Sequence, residues 1–315
     1  MQKTVDIIVP CYNEEESVAL LYANVNKTFS EMGKYRFCLI YVDDGSKDCT
    51  LQEIKKLTLA EEQGTVQYIS FARNFGKESA MYAGLEKSTG DYVVLMDADL
   101  QHPPELLPKM LERIEEGHDV CATRRISRKG EPPIRSAFAK IFYHMINRLT
   151  AIRLYPGETD YRLMTRQVVD SIISLKEKER FTKGIYSWVG FDTEWIEYEN
   201  VERVAGQTKW SFGGLFSYAC SGFIAFATTP LRCVTFIGML IVGFALAYGI
   251  NVFVMALKHP DERTGYATLL LAVLFIGGVI ITILGIISEY IARIYLEVKD
   301  RPIYIVKESN VKNDR

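Results

Sequence analysis

Two aspartates, Asp97 and Asp99, follow the apolar run Tyr92–Met96 and are separated only by Ala98. If that run is a β-strand, side chains two positions apart leave it on the same side. Two close carboxylates repel each other, and a hard divalent cation such as Mg²⁺ or Mn²⁺ joins them while it also binds substrate phosphates. The motif therefore predicts a metal site at the end of a strand. An acidic surface turn is the alternative that this motif alone leaves open.

Three earlier strand-like runs also end in polar side chains. These are Tyr12 and Glu14 after the first run, Asp43 and Asp44 after the second, and Arg73 and Lys77 after the third. The aromatic ring and the acids suit a nucleoside, and the two cations suit a diphosphate. Open α/β sheets bind ligands at the carboxyl ends of their strands, so these residues predict one ligand with a base, a sugar and phosphates. Helix capping by Asn13 is the structural alternative for the first motif.

The first 123 residues alternate between strand-like and helix-like patterns. Strands are predicted at Thr4–Val9, Phe37–Val42, Thr65–Phe71, Tyr92–Met96 and Asp119–Ala122, and helices at Glu15–Glu31, Asp48–Glu62, Lys77–Lys87 and Pro104–Glu116. Such alternation predicts an α/β fold with a mostly parallel sheet and helices on both faces.

Two uncharged runs, Cys233–Leu257 and Thr264–Ser288, are each long enough to cross the hydrocarbon core of a membrane. They predict a two-helix transmembrane hairpin, with spans at about 231–257 and 264–290. The basic residues that flank the outer ends of the pair place both termini in the cytoplasm. Six scattered cysteines fit that reducing compartment, and a net charge of −2 argues against a nucleic-acid partner.

Two further segments, residues 136–150 and 211–228, have apolar residues at helical spacing. They are predicted either as core helices or as amphipathic helices in the membrane interface. The predicted organisation is a catalytic domain over 1–210, an interface helix over 211–228, the membrane hairpin over 229–292 and an extension over 293–315. The β-prone stretch Arg301–Val306 in that extension is a candidate for pairing with another subunit.

Four ordered motifs carry a resemblance to a known family. They are VPCYNEEE from Val9, VDDGSKDCT from Val42, FARNFGK from Phe71 and MDADLQHPPE from Met96. With GETDYRLM from Gly157, GQTKW from Gly206 and the hairpin, the chain resembles inverting family 2 glycosyltransferases of the GT-A fold, in particular the polyprenyl-phosphate glycosyltransferases. Bactoprenol glucosyltransferases are the nearest in pattern, followed by dolichyl-phosphate mannose synthases.

The resemblance implies a role for each residue that matches the family's motifs. Pro10, Tyr12, Glu14 and Asp44 would hold the nucleoside; Asp97, Asp99 and Gln101 would bind the metal, with Ala98 against the nucleotide; Arg124, Arg135 and Lys209 would contact phosphates. It also implies a nucleotide sugar, most simply UDP-glucose, as donor, undecaprenyl phosphate as acceptor, a cell-membrane location and a homo-oligomer, with a tetramer among the sizes expected.

Asp160 is the catalytic base by the same resemblance. A phosphate monoester is already largely a dianion at neutral pH and needs no strong base, so orienting the acceptor or pairing with Arg162 are alternatives. Other donors, such as GDP-mannose or a UDP-linked amino sugar, remain open. A polysaccharide synthase is disfavoured because Gln207–Trp210 departs from the Q-x-x-R-W motif of those enzymes. A non-catalytic membrane scaffold that binds nucleotide sugars is the alternative from a different class.

Overall fold

The computed structural model describes residues 2–58, 65–126, 143–150, 152–199, 229–258 and 265–311. The chain forms two compact units. The first comprises Met1–Gly222 together with Arg301–Arg315, and the second comprises Phe223–Asp300. The chain therefore leaves the first unit, forms the second, and returns to the first.

A mixed sheet forms the centre of the first unit. Within the described residues its strands are β1 (Lys3–Cys11), β2 (Tyr35–Asp43), β3 (Thr65–Phe71), β4 (Tyr92–Leu95), β5 (Val120–Arg125), β6 (Glu158–Thr165), β7 (Thr193–Tyr198) and β8 (Val306–Ser309), in the spatial order β7-β5-β6-β4-β1-β2-β3-β8. The four central strands β4, β1, β2 and β3 are parallel, as expected. β6 runs antiparallel to β4 and β5, and β8 runs antiparallel to β3. β5 and β7 also pair in parallel, so six of the eight described strands run in one direction. The prediction of a mostly parallel sheet is confirmed, with the antiparallel strands β6 and β8 as its exceptions.

Helices cover both faces of the sheet. They are α1 (Val18–Met32), α2 (Thr50–Leu57), α3 (Lys77–Lys87), α4 (Leu107–Glu115), α5 (Arg166–Ser174) and α6 (Thr182–Val189). Val5, Ile7 and Val9 of β1 lie in a core cluster with residues of α1, α2 and α4. The intervening Ile8 faces α3, where Gly84 allows the helix to approach because any β-carbon there would collide with Ile8. β1 is buried on both faces from Val5 to Val9, which explains its three adjacent apolar residues Ile7, Ile8 and Val9.

The second unit contains two long helices, α7 (Thr229–Lys258) and α8 (Tyr266–Val298). Within the described residues, Phe275–Val298 is long and apolar enough to cross a membrane, with a mean hydropathy of 2.0. The apolar part of α7, Gly238–Asn251, is shorter. The structure thus contains both helices of the predicted hairpin, while the crossing of a membrane by both of them stays a prediction.

Two predicted segments lie wholly or partly outside the described residues. The helix at 211–228 is outside them. Of the helix at 136–150, residues 143–149 are helical, and Ile146 is buried whereas Met145 is exposed. Of the β-prone stretch Arg301–Val306, only Val306 belongs to β8, which pairs with β3 of the same chain; pairing of this stretch with another subunit stays a prediction. An intramolecular partner was available because β3 otherwise ends the sheet with unpaired backbone groups.

Candidate active site

The carboxyl ends of β1, β2 and β3 meet at one edge of the sheet. In the parallel register Cys11 is level with Asp43, and Asp43 is level with Ser70. The Oδ2 atom of Asp43 accepts a hydrogen bond from the Ser70 hydroxyl at 2.8 Å, and its Oδ1 accepts one from the Ser46 amide at 3.0 Å. Asp43, predicted to contact the nucleotide, therefore uses both oxygens to fix this edge of the sheet.

Asp44 connects the end of β2 to the loop that follows β3. Its Oδ1 accepts a hydrogen bond from the Phe75 amide at 2.6 Å, and its Oδ2 accepts one from the Gly76 amide at 2.9 Å. Burial raises the pKa of Asp44 to about 6, although both amide contacts favour the charged form. The carboxylate thus lies in a poorly hydrated position whose geometry depends on residues 72–76, which we call the donor loop.

The loop after β1 is held against the loop after β2. Pro10 lies near the end of β1, and Tyr12 and Glu14 lie in the loop itself. Asn13 adopts a φ of 53°, and its Oδ1 accepts a hydrogen bond from the Lys47 amide at 2.8 Å. Asn13 therefore joins the two loops, and the alternative in which it caps α1 is not observed, because Ser17 is the residue that precedes the helix. This hydrogen bond between the loops places Tyr12 and Glu14 beside Asp43 and Asp44 at the carboxyl end of β2.

The acidic motif forms a tight turn after β4. The Asp97 amide donates to Nδ1 of His102 at 3.1 Å, and Oδ1 of Asp99 accepts from the Gln101 amide at 3.1 Å. Leu100 adopts a φ of 60°, a left-handed conformation that is unfavourable for a non-glycine residue. The turn is thus held in a strained shape by its own side chains.

His102 is buried beneath this turn. Its ring is 1% exposed and stacks on Tyr161 of β6, with 5.1 Å between the ring centroids. Burial lowers the pKa of His102, while the charges of Asp97 and Asp99 oppose that shift, which places both carboxylates close to one ring. Ala98 between them is also buried.

The oxygen ligands suit a hard divalent cation that also binds a substrate. Asp97 is about a quarter exposed and Asp99 is nearly buried. Over the described parts of the chain, no group of three or more His, Cys, Asp or Glu side chains is arranged to hold a metal. Two carboxylates with phosphate oxygens from a substrate are an arrangement typical of Mg²⁺ sites. Gln101, the third predicted ligand, has its Oε1 within 3.2 Å of Arg125 Nη2.

Lys77, the first residue of α3, joins two of the predicted functional residues. Its ammonium nitrogen lies 2.6 Å from Oδ1 of Asp97 and 2.7 Å from Oδ2 of Asp160. Lys77 was predicted to contact a diphosphate, and neither of these two contacts was predicted. Asp97, which is predicted to bind a metal, is therefore paired with an ammonium group in this structure.

The same contacts determine the charge of Asp160. Burial disfavours the charged form, but the nearby Lys77 and Lys183 and the hydrogen bond from Lys77 hold the pKa of Asp160 well below its usual range. Asp160 is consequently ionised and is a weak proton acceptor. The alternative pairing with Arg162 is not the one observed, because Arg162 pairs with Glu158 at 2.8 Å and lies over the Tyr186 ring.

Arg124, which is predicted to contact a phosphate, pairs with an acidic side chain instead. Nε of Arg124 donates to Glu197 at 2.9 Å, while the next residue, Arg125, points to Gln101 in the acidic turn. Neighbouring residues of a strand face opposite sides, so only one of these arginines can reach the turn. The Arg73 guanidinium lies over the Phe75 ring in the donor loop at 3.9 Å. Arg135 and Lys209 lie outside the described residues.

Two family models match the sequence of this chain. The family model described as "Glycosyl transferase family 2" matches residues 6–173, and the model "GtrB C-terminal hairpin" matches residues 229–294. The chain is 44% identical over 312 residues to the putative glycosyltransferase CsbB of Bacillus subtilis, covering 99% of this chain and 94% of that protein. It is 38% identical over 309 residues to the bactoprenol glucosyl transferase of Shigella phage SfII, covering 98% of this chain and 99% of that protein.

Similar solved structures have lower identity. Mannosyl-3-phosphoglycerate synthase from Rubrobacter xylanophilus is 17% identical with a TM-score of 0.48, covering 75% of each chain. Glucosyl-3-phosphoglycerate synthase from Mycobacterium tuberculosis, crystallised with Mn²⁺ and UDP-glucose, is 16% identical with a TM-score of 0.45, covering 69% of this chain and 76% of that chain.

Proposed function

We propose that this chain, which belongs to glycosyl transferase family 2, transfers one glucose from UDP-glucose to the phosphate of undecaprenyl phosphate. The relatives named bactoprenol glucosyl transferase support this acceptor, and they match almost the whole chain. The observation that carries the proposal is the junction at Lys77, where the acidic turn and β6 are joined at the end of the sheet.

The donor would bind along the strand ends. Tyr12, Glu14 and Asp44 would contact the nucleoside, and Arg73 would contact the diphosphate. Asp97 and Asp99, with Gln101 if it releases Arg125, would hold Mg²⁺ or Mn²⁺. The ion, when bound, would neutralise the negative charge that develops on the departing nucleoside diphosphate.

The acceptor phosphate would attack the anomeric carbon from the face opposite the leaving diphosphate, which inverts the configuration. The phosphate is largely a dianion at neutral pH, because its second pKa is about 6. Asp160 therefore has no proton that it must remove. We infer that Asp160 holds Lys77 at the junction, where the ammonium group faces the reacting phosphates, and that positioning and electrostatic stabilisation supply most of the rate.

The helices of the second unit would bring the enzyme to its acceptor. A polyprenyl phosphate keeps its chain in the bilayer and its phosphate at the headgroup layer. We infer that α7 and α8 both cross the cell membrane, with the catalytic domain (residues 1–210) and both termini in the cytoplasm. The segment 211–228 would lie in the interface, and 293–315 would extend from the membrane. A homo-oligomer is part of the same proposal.

Transfer to a defined lipid tests this function. The purified protein is incubated with undecaprenyl phosphate and one donor at a time: UDP-glucose, a UDP-linked amino sugar or GDP-mannose. Each reaction is run with and without EDTA, and the masses of the lipid products are measured by mass spectrometry. We expect one hexose per lipid from UDP-glucose and none with EDTA. Several sugars per lipid would indicate a polysaccharide synthase, and no turnover of any donor would indicate a non-catalytic scaffold. Preference for another donor would correct the sugar and leave the reaction class unchanged.

A further inference from the structure

The last described residues of the chain form a strap, Arg301–Val311, that returns to the catalytic unit beside the donor loop. Within it, β8 pairs with β3, and the pairing register shifts between Ser70 and Phe71. The carbonyl oxygen of Ile305 accepts a hydrogen bond from the Ala72 amide at 2.9 Å. The strap therefore contacts the backbone at the first residue of the donor loop.

Tyr304 fixes both sides of that loop. Its ring stacks on Phe71, the last residue of β3, with 5.0 Å between centroids and 18° between the planes. The same ring lies against Tyr82 of α3 at 6.5 Å, and its hydroxyl donates a hydrogen bond to Glu86 of α3. The donor loop connects β3 to α3. The Tyr304 side chain therefore contacts both of the elements that the loop connects.

The position of the loop determines the position of Asp44. The amides of Phe75 and Gly76 hold the two oxygens of that carboxylate, and neither amide can move without releasing one of them. Lys77, which reaches Asp97 and Asp160, is the next residue along the chain. Displacement of the loop would therefore disturb the nucleoside side of the site first.

We propose that the strap is a positioning element for the donor loop, and that Tyr304 sets the affinity for the nucleotide sugar without touching it. The assignment of the ligand rests on the proposed function, whereas the mechanical link between Tyr304 and the loop does not.

Full-length Tyr304→Ala and Tyr304→Phe proteins test the link. We expect Tyr304→Ala to raise the KM for UDP-glucose about tenfold and to leave kcat within about twofold, since it removes a stacked pair and a partly buried hydrogen bond. Tyr304→Phe keeps the stacked ring and should raise KM only about threefold. Hydrogen exchange at the amides of Phe75 and Gly76 should be faster than in the wild type in both variants, and fastest in Tyr304→Ala.

Glu308→Ala is the matched control within the strap. It removes the 2.7 Å ion pair with Lys55 of α2, which makes no contact with Tyr304 in the described interactions, and should leave the donor KM unchanged. The proposal is overturned if Tyr304→Ala leaves both KM and exchange in the loop unchanged, or if Glu308→Ala raises KM equally. Absence of turnover in the wild-type protein would refute the proposed donor alone, because amide exchange in the loop still decides the role of the strap.

Discussion

Replacement of Lys77 by methionine removes the ammonium group between Asp97 and Asp160 and keeps a side chain of similar length. Both acidic oxygens contact the same nitrogen, at 2.6 and 2.7 Å. They therefore lie within about 5.3 Å of each other, where two unit charges in an effective dielectric of about 20 repel by about 3 kcal/mol. About a third of the Lys77 side chain is exposed, and screening reduces that repulsion to roughly 1–2 kcal/mol.

The variant also loses the charge that faces the phosphates. The carboxylate repulsion is present in the free enzyme as well, so it lowers the stability of the fold and not the transition-state stabilisation. A hydrogen bond to a charged group contributes about 1.5–3 kcal/mol, and this is the expected loss of transition-state stabilisation. That loss lowers kcat/KM by about 13- to 160-fold. The assay measures the initial rate of transfer to undecaprenyl phosphate as the UDP-glucose concentration is varied, for Lys77→Met, Lys77→Arg and the wild type.

Two further variants isolate the cause. Lys56→Met removes an ammonium group that pairs with Glu53 at 2.6 Å on the exposed side of α2, and it should behave as the wild type. Asp160→Asn should lower kcat/KM by a smaller factor in the Lys77→Met background than in the wild type, because the Asp160 and Lys77 side chains are in contact. The reasoning is refuted if folded Lys77→Met retains kcat/KM within about threefold of the wild type. It is also refuted if Asp160→Asn abolishes transfer regardless of the residue at position 77.

Four other outcomes follow from the site. Asp99→Ala should lower transfer at least about 100-fold, since a metal ligand is lost, while circular dichroism and membrane insertion stay unchanged. Chelation by EDTA should stop transfer, and added Mg²⁺ or Mn²⁺ should restore it. Because the pKa of Asp44 is raised to about 6, the carboxylate gains a proton as the pH falls from 7 to 5, and UDP-glucose affinity measured by calorimetry should weaken about tenfold in the wild type but not in Asp44→Asn. Gly45→Ala should raise the donor KM and lower the melting temperature, because φ is +68° and the new β-carbon would lie 2.5 Å from the Arg73 backbone.

The sequence alone determined the local elements around the site. β3 at Thr65–Phe71 and α3 at Lys77–Lys87 have the predicted bounds, because the switch from strand to helical periodicity and the Gly76 before the helix are local signals. The convergence of the strand-end motifs was also predictable, since parallel strands align their carboxyl ends. The family followed from the same motifs, and the match to residues 6–173 confirms it.

Which side chains pair with each other was decided by the tertiary structure. Lys77 and Asp160 are 83 residues apart in the chain, and their contact depends on β6 running antiparallel beside β4. Strand direction and the choice of neighbour leave no mark on the hydrophobic period of a strand, because the period reports which face is buried and not what covers it. For the same reason, the sequence indicated a β-prone end of the chain but could not assign β8 to β3, where it supports the donor loop.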